Sequence, residues 1–187
     1  MPTTIKYLGI LLLITWYPAF AQPKNDSVFS KATLSSLFPN QSSGYSLFIF
    51  LSPECPLCQN YSKSLNQLQE QYGGRIAFYG IIPGATYPTV EIDSFRQKYK
   101  ISYRLWVDRS LRLSHYLLAS ATPEVIFLGP SQQLIYKGAI DNWYKALGKS
   151  STRPTEHYLQ DAIEHALKKE PSPIKRTTPV GCLINDF

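Results

Sequence analysis

The chain has 187 residues, of which 44% are hydrophobic, 13% aromatic and 17% charged, with a formal net charge of +6 at pH 7. This composition is typical of one globular domain with a substantial core, and it excludes an intrinsically disordered chain. The positive charge forms no basic stripe, and its densest group, between residues 168 and 176, suits a solvated helix end. Nucleic acid is therefore not an expected partner.

The first 21 residues have the pattern of a signal peptide. Lys6 precedes an apolar run over residues 7–16, and Ala19 and Ala21 give a small-x-small cleavage pattern. The alternative is an uncleaved membrane anchor, but the run is shorter than the about 20 residues that span a bilayer. We therefore predict a periplasmic or secreted protein with no stable membrane span after cleavage, in a compartment where disulfides persist.

Three further segments follow the predicted signal peptide. Residues 22–44 are rich in serine, asparagine, glutamine and proline, and we predict a leader that packs weakly on the domain, with one short helix or edge strand. The domain is predicted over residues 45–170. Residues 171–187 are predicted to be a C-terminal tail without periodicity, which contains Cys182.

A strand, a cysteine pair and a helix follow each other between residues 47 and 72. The apolar run over residues 47–51 predicts a strand that is buried on both faces. Apolar residues then recur at helical spacing, namely Leu57, Tyr61, Leu65, Leu68 and Tyr72. Pro56 suits the first helical position, where its missing N–H would have no intrahelical partner.

This arrangement predicts that Cys55 is the N-cap residue of the helix. Free backbone N–H groups and the positive end of the helix dipole then lie beside its sulfur and favour the reactive thiolate. Cys58 lies one turn further on the same side, within reach of a disulfide with Cys55. The spacing is that of a redox dithiol.

The rest of the domain alternates strands and helices. Strands are predicted over residues 75–82, 103–107 and 133–138, and a further apolar strand runs directly on from Thr122-Pro123 to Leu128. Helices are predicted over residues 89–100 with Thr89 as the cap, after Asp108 as a cap, and from residue 153 to about 169. Strands that alternate with helices and end in a hairpin and a helix predict an α/β sandwich around a mixed sheet.

This layout resembles the thioredoxin-like superfamily over roughly residues 45–169. The resemblance implies a thioredoxin-like fold, in which a mixed central β-sheet is flanked by helices as a three-layer sandwich. It also implies a cis bond before Pro123, which would lie opposite the cysteine pair, with the backbone at Thr122 pairing with a bound substrate peptide. More narrowly, four phrases resemble exported redoxins related to alkyl hydroperoxide reductases and thiol-specific antioxidants: ECPL (54–57), ATPEV (121–125), YKGAID (136–141) and PVGCLI (179–184).

Non-redox interpretations of the cysteine pair are less favoured. A permanent structural disulfide stays open, but zinc would need two further ligands. The remaining candidates show no paired metal spacing, and they are Cys182, His115, His157 and His165. Haem attachment would require a histidine directly after Cys58, where Gln59 stands.

We interpret the pair as a thiol–disulfide oxidoreductase site that needs no cofactor. Cys55 would attack a partner disulfide and Cys58 would resolve the mixed disulfide, with protein thiols and a separate redox protein as partners. The carboxylate of Glu54 is expected to raise the pKa of the Cys55 thiol, against the effect of the helix terminus. We therefore expect a reducing-to-intermediate couple rather than an oxidant near about −120 mV.

Two alternatives remain. A peroxiredoxin-like antioxidant peroxidase would use Cys55 with Cys58 or Cys182 as the resolving residue; Ser52 fills that family's hydroxyl position, whereas Phe48 stands where the family has proline. A copper-handling thioredoxin-like protein is the less favoured alternative. Such proteins resemble this chain but use Cys-x-x-x-Cys with a distant histidine, and the spacing here is one residue short.

Overall fold

The computed structural model describes residues 31–38 and 44–184. The predicted signal peptide over residues 1–21 lies outside the described residues. None of the described helices is both long and apolar enough to cross a membrane.

The described residues form five helices and nine strands. The helices are α1 (Lys31–Leu37), α2 (Pro56–Tyr72), α3 (Thr89–Lys98), α4 (Arg112–Tyr116) and α5 (Tyr158–Leu167). The strands are β1 (Tyr45–Phe50), β2 (Ile76–Pro83), β3 (Arg104–Asp108), β4 (Ala121–Thr122), β5 (Glu124–Leu128), β6 (Leu134–Gly138), β7 (Tyr144–Ala146), β8 (Lys149–Ser150) and β9 (Cys182–Leu183).

Five of these strands form the central sheet, in the order β3-β2-β1-β5-β6. β1 pairs in parallel with β2, and β2 with β3, because helical crossovers connect them. β5 runs antiparallel to β1, and β6 returns antiparallel to β5 through a short turn. The sheet is therefore mixed, as the sequence predicts. Two small sheets, β4-β9 and β7-β8, stand apart from it.

The side chains of β1 divide between two hydrophobic clusters because successive residues of a strand point to opposite faces. Leu47 and Ile49 pack in a cluster with buried residues of α2, α3 and α5. Phe48 and Phe50 pack in a second cluster with residues of α1 and α4. Helices therefore cover both faces of the sheet, which confirms the predicted three-layer arrangement.

The described part of the leader packs more closely than the sequence predicts. Leu34 and Phe38 are each only 3% exposed. The ring of Phe38 meets Phe48, Tyr79 and Trp106 edge-on, with centroids 5.0–5.3 Å apart. The prediction of a weakly packed leader is therefore wrong for residues 31–38, because two isolated apolar side chains fill one face of the sheet.

The predicted starts of three helices need correction. The N-cap of α3 is Pro88, and Thr89 is already helical. The N-cap position of α4 is Leu111, although the Asp108 carboxylate still accepts the backbone N–H of Ser114 at 2.7 Å. α5 begins at Tyr158 rather than at residue 153, because the backbone N–H groups at residues 155 and 156 donate to a side-chain oxygen of residue 142 instead of entering a helix.

Replacement of Leu65 by alanine tests the packing of α2 on the sheet. Leu65 is fully buried, so Leu65→Ala should lower the free energy of unfolding by about 2–5 kcal/mol. Leu147→Ala is the matched control because Leu147 is 61% exposed, and it should change that free energy by less than about 0.5 kcal/mol. Urea denaturation of the reduced proteins measures both values. Equal losses for the two variants would contradict the described packing.

Candidate active site

The two cysteines of the dithiol lie where β1 ends and α2 begins. Cys55 occupies the N-cap position with extended backbone (φ −73°, ψ 115°), and Pro56 follows as the first helical residue, as predicted. The Cys55 sulfur makes no capping hydrogen bond to the helix. Cys55 is 1% exposed and Cys58 is fully buried. The local sequence therefore places both sulfurs beside each other at a helix start, inside the protein.

Cys58 is held as a neutral thiol. The backbone N–H of Ser52 donates to its sulfur at 3.4 Å. Burial raises the pKa of Cys58 well above the ordinary value, and the neighbouring Cys55 acts in the same direction. Cys58 therefore keeps its proton and can donate it to the Cys55 sulfur.

Cys55 is the thiol that ionises. In its protonated form the S–H donates to the carbonyl oxygen of Thr122 at 3.1 Å. The pKa of Cys55 is lowered to about 5, first because the Cys58 side chain hydrogen-bonds to the thiolate. Burial opposes this effect, while the backbone of Cys58 and the side chain and backbone of Cys182 reinforce it. Cys55 is therefore a thiolate at neutral pH, which is the nucleophilic form.

The expected effect of Glu54 is not found. Its side chain is exposed, where water and salt screen its charge. The charge of Glu54 is not among the causes that set the pKa of Cys55. Any opposition from Glu54 therefore does not decide the direction of the shift, because the pKa of Cys55 is lowered.

Thr122 and Pro123 form the wall opposite the dithiol. The bond between them is cis, as the resemblance to thioredoxin-like proteins implies. Thr122 is the second residue of β4, and its carbonyl oxygen faces the Cys55 sulfur. Both residues predicted to bind substrate therefore lie beside the predicted nucleophile.

The buried carboxylate of Glu124 holds this wall in place, a role that the sequence analysis does not identify. Glu124 is fully buried, and its Oε2 accepts hydrogen bonds from the backbone N–H of Ser120 at 2.6 Å and of Ala121 at 3.3 Å. The ammonium of Lys137 lies 3.5 Å from its Oε1, as a buried charge requires. The signal for this role is an acidic residue at the start of the apolar strand β5.

Cys182 also lies in the site, although nothing in the sequence predicts that the tail reaches the dithiol. β9 pairs antiparallel with β4, and Cys182 stands opposite Thr122 in the register. Its thiol donates to the Cys55 sulfur with the two sulfur atoms 3.2 Å apart. The pKa of Cys182 is raised to about 11, first by burial and then by the hydrogen bond to Cys55. All three cysteines of the chain therefore converge on one point.

A cavity of about 300 Å³ opens beside Cys182 and Thr122. Its walls are Ser52, the loop of residues 83–87, Arg109 and the end of the tail. The hydroxyls of Ser52 and Tyr87, which both line it, share a hydrogen bond of 2.8 Å. Sequence reasoning missed the contribution of Tyr87 and Arg109, because nothing in their spacing links them to the dithiol.

The described residues, 31–38 and 44–184, hold no group of three or more His, Cys, Asp and Glu side chains that could bind a metal ion. His165 instead contacts Glu170 at 3.3 Å, far along the chain from the dithiol.

The causes of the lowered pKa of Cys55 can be ranked by substitution. Cys58→Ala removes the leading hydrogen bond, so the pKa of Cys55 should rise from about 5 furthest toward the ordinary value. Cys182→Ala removes a weaker contribution and should raise the pKa less. The ultraviolet absorbance of the thiolate, followed against pH in the reduced proteins, measures each midpoint, and Cys55→Ser identifies the signal. A larger rise in Cys182→Ala than in Cys58→Ala would contradict this ranking.

No family model and no curated protein matches the chain. Solved structures do match. An uncharacterized conserved protein from Geobacillus kaustophilus is 17% identical with a TM-score of 0.69, and the match covers 78% of each chain. A hypothetical protein from Sinorhizobium meliloti 1021 is 21% identical with a TM-score of 0.68, covering 76% of this chain and 79% of that one. A thioredoxin-like protein, solved in its oxidized form, is 14% identical with a TM-score of 0.54, covering 70% of this chain and 82% of that one. The chain therefore has a thioredoxin-like fold.

Proposed function

We propose that the protein is an exported thiol–disulfide oxidoreductase with Cys55 as the nucleophile and Cys58 as the resolving residue. The observation that carries this proposal is the placement of Cys55 at the N-cap and Cys58 in the first turn of α2, with the Thr122 carbonyl oxygen 3.1 Å from the Cys55 sulfur. Cys55 has a pKa lowered to about 5, whereas burial keeps Cys58 protonated. Cys55 can therefore attack as a thiolate, while Cys58 stays protonated until the mixed disulfide has formed.

The reaction begins when the Cys55 thiolate attacks one sulfur of a partner disulfide. A new bond forms between Cys55 and that sulfur, and the other partner sulfur leaves as a thiolate that takes a proton from water. With Cys55 bound in the mixed disulfide, its negative charge is gone, and one cause of the raised pKa of Cys58 disappears with it. Cys58 then loses its proton and attacks the Cys55 sulfur. The Cys55–Cys58 disulfide forms, and the second partner sulfur leaves as a thiol.

The acidity of Cys55 bears on the redox potential. Stabilising the thiolate stabilises the reduced protein, which makes a dithiol couple more oxidising. A pKa of about 5 for Cys55 lies between the values of about 7 for thioredoxin and about 3.5 for the strong oxidant DsbA. We therefore propose an intermediate couple rather than a strongly oxidising one.

The cellular setting of the proposal rests on the sequence. The signal-peptide pattern over residues 1–21 supports a periplasmic or secreted protein. Its partners would be protein thiols and disulfides, together with a separate redox protein that restores the dithiol. No cofactor takes part, because the two sulfurs carry both electrons.

A thiol peroxidase is the second candidate, and the position of Cys182 favours it. Peroxide would oxidise the Cys55 thiolate to a sulfenic acid and leave as water after protonation. The Cys182 thiol, 3.2 Å away, would then attack the Cys55 sulfur, form the Cys55–Cys182 disulfide and release a second water. Phe48 still stands at the position where peroxiredoxins carry proline.

Replacing Cys58 with serine should trap the partner. When reduced Cys58→Ser protein is mixed with insulin as a disulfide substrate, Cys55 should stay in a mixed disulfide because the resolving sulfur is missing. Wild-type protein should release the substrate thiols and retain a Cys55–Cys58 disulfide. Mass spectrometry of the non-reduced peptides reads both products.

Cys182→Ser is the matched control for this trap, and it should behave like the wild type. A Cys58→Ser protein that releases substrate as fast as the wild type would contradict the assigned roles. The same experiment with hydrogen peroxide in place of insulin distinguishes a thiol peroxidase from a thiol–disulfide oxidoreductase. Oxidation of Cys55 no faster than that of an ordinary thiolate would exclude a peroxidase, whereas much faster oxidation with a Cys55–Cys182 product would replace the first proposal.

A further inference from the structure

The end of the tail lies as a strand along β4. We call residues 180–184 the tail strand. Cys182 and Leu183 pair antiparallel with Thr122 and Ala121. Beyond this pairing, the backbone N–H of Ile184 donates to the carbonyl oxygen of Ser120 at 3.0 Å. The tail strand therefore uses the backbone groups of β4 that an extended segment of another protein would need.

The tail strand also fills the space in front of the nucleophile. The Cys182 sulfur lies 3.2 Å from the Cys55 sulfur, which is the position that an attacked sulfur must approach. Cys55 is 1% exposed with the strand in place. A partner cysteine cannot reach Cys55 until this strand leaves.

The strand is short and partly exposed, and the chain just before it is attached separately. Only two residue pairs join β4 to β9, and Leu183 is 75% exposed. Upstream, the hydroxyl of Thr177 bonds to the Tyr136 hydroxyl at 2.6 Å and accepts the backbone N–H of Ala139 at 2.9 Å. Residues 180–184 can therefore detach from β4 while the tail stays fixed at Thr177.

One position in the tail strand admits no side chain. A Cβ atom at Gly181 would overlap the backbone of Thr122, with the Thr122 carbonyl oxygen and the Pro123 nitrogen both within 3.0 Å. These are backbone atoms of the wall that Glu124 holds, so they cannot swing aside as a flexible side chain would. A segment that presents a cysteine to Cys55 in this register must carry glycine immediately before it.

We propose that the tail strand is an internal occupant of the partner-binding edge of β4, and that the partner is an extended protein segment with a glycine directly before its cysteine. The inference rests on the proposed function, because it names the segment with which Cys55 exchanges disulfides. The partner segment replaces residues 180–184, pairs with β4 and places its sulfur where Cys182 lies. The tail strand closes the site again when the partner leaves.

The first test opens the site without touching a cysteine. Gly181→Val in the full chain should force the tail strand off β4 and raise the rate of Cys55 alkylation by iodoacetamide about tenfold or more. Rates are compared per thiolate, using the measured pKa of each protein, and peptide mass spectrometry assigns the modified cysteine. Gly74→Val is the matched control, since a Cβ there meets no atom within 4 Å, and it should react like the wild type.

The second test uses the unaltered chain with two synthetic peptides. One has the sequence of residues 178–184, and the other has valine in place of its glycine; both carry the cysteine as the same activated aromatic disulfide. The glycine peptide should form the mixed disulfide with Cys55 about tenfold faster or more, because only it fits the β4 register. Since the leaving group is identical, the ratio reports the fit of the peptide.

Equal rates for the two peptides, together with unchanged alkylation of Gly181→Val, would overturn the inference and leave the exchange chemistry standing, because both peptides still react. Failure of Cys55 to react with either peptide would overturn the proposed function and the inference with it.

Discussion

The hydrogen bond between the two sulfurs of the dithiol is the interaction on which the site depends. Burial by itself raises the pKa of Cys55, as it does that of Cys58, and the hydrogen bond from the Cys58 side chain is the largest of the causes that lower it. With it, a nearly inaccessible thiol becomes the most acidic of the three cysteines. The fold supplies the geometry, because a buried strand ends where a helix with proline at its first position begins. Reactivity therefore comes from placing neutral thiol donors beside one nucleophile rather than from exposure to water or a nearby cation.

The opposite wall of the site, formed by Thr122 and Pro123, is stabilised by a buried carboxylate. β4 has only two residues and lies outside the central sheet, so the ladder of the sheet does not hold it. The buried carboxylate of Glu124 instead accepts two backbone N–H groups of the preceding residues, and Lys137 balances its charge. This arrangement leaves the outer edge of β4 free to pair with an extended segment. The C-terminal tail of the same chain takes that edge, which explains why the nucleophile is covered.

Features encoded by neighbouring residues could be predicted from the sequence, and features that depend on distant pairing could not. The apolar run of β1, the helical spacing after Pro56 and the Thr122-Pro123 step each carry their own local signal. The sequence predicts the start of α5 five residues too early, because a side chain from the preceding loop binds the backbone of residues 155 and 156. In the first described segment only Leu34 of α1 and Phe38, directly after it, are buried, and two apolar residues are too few to reveal a stripe.

The C-terminal tail at the active site is another feature that depends on distant pairing and therefore could not be predicted. Residues 180–184 show no hydrophobic periodicity, because a strand with only two paired residues is too short to have one. The position of Cys182 depends on its pairing with β4, which is distant in the sequence. Glu54 shows the converse limit: it neighbours Cys55 in sequence, but its side chain is exposed and is not among the causes that set the pKa of the thiol.

The most direct measurement of the central claim is an equilibrium titration of the dithiol with reduced and oxidised glutathione, in which mass spectrometry follows the bond between Cys55 and Cys58. We expect a single transition to a Cys55–Cys58 disulfide, with a reduction potential between the values of about −270 mV for thioredoxin and about −120 mV for DsbA. A potential near about −120 mV would contradict the intermediate couple. If no Cys55–Cys58 disulfide forms at any ratio of the two glutathiones, the account of this site as a dithiol oxidoreductase is wrong.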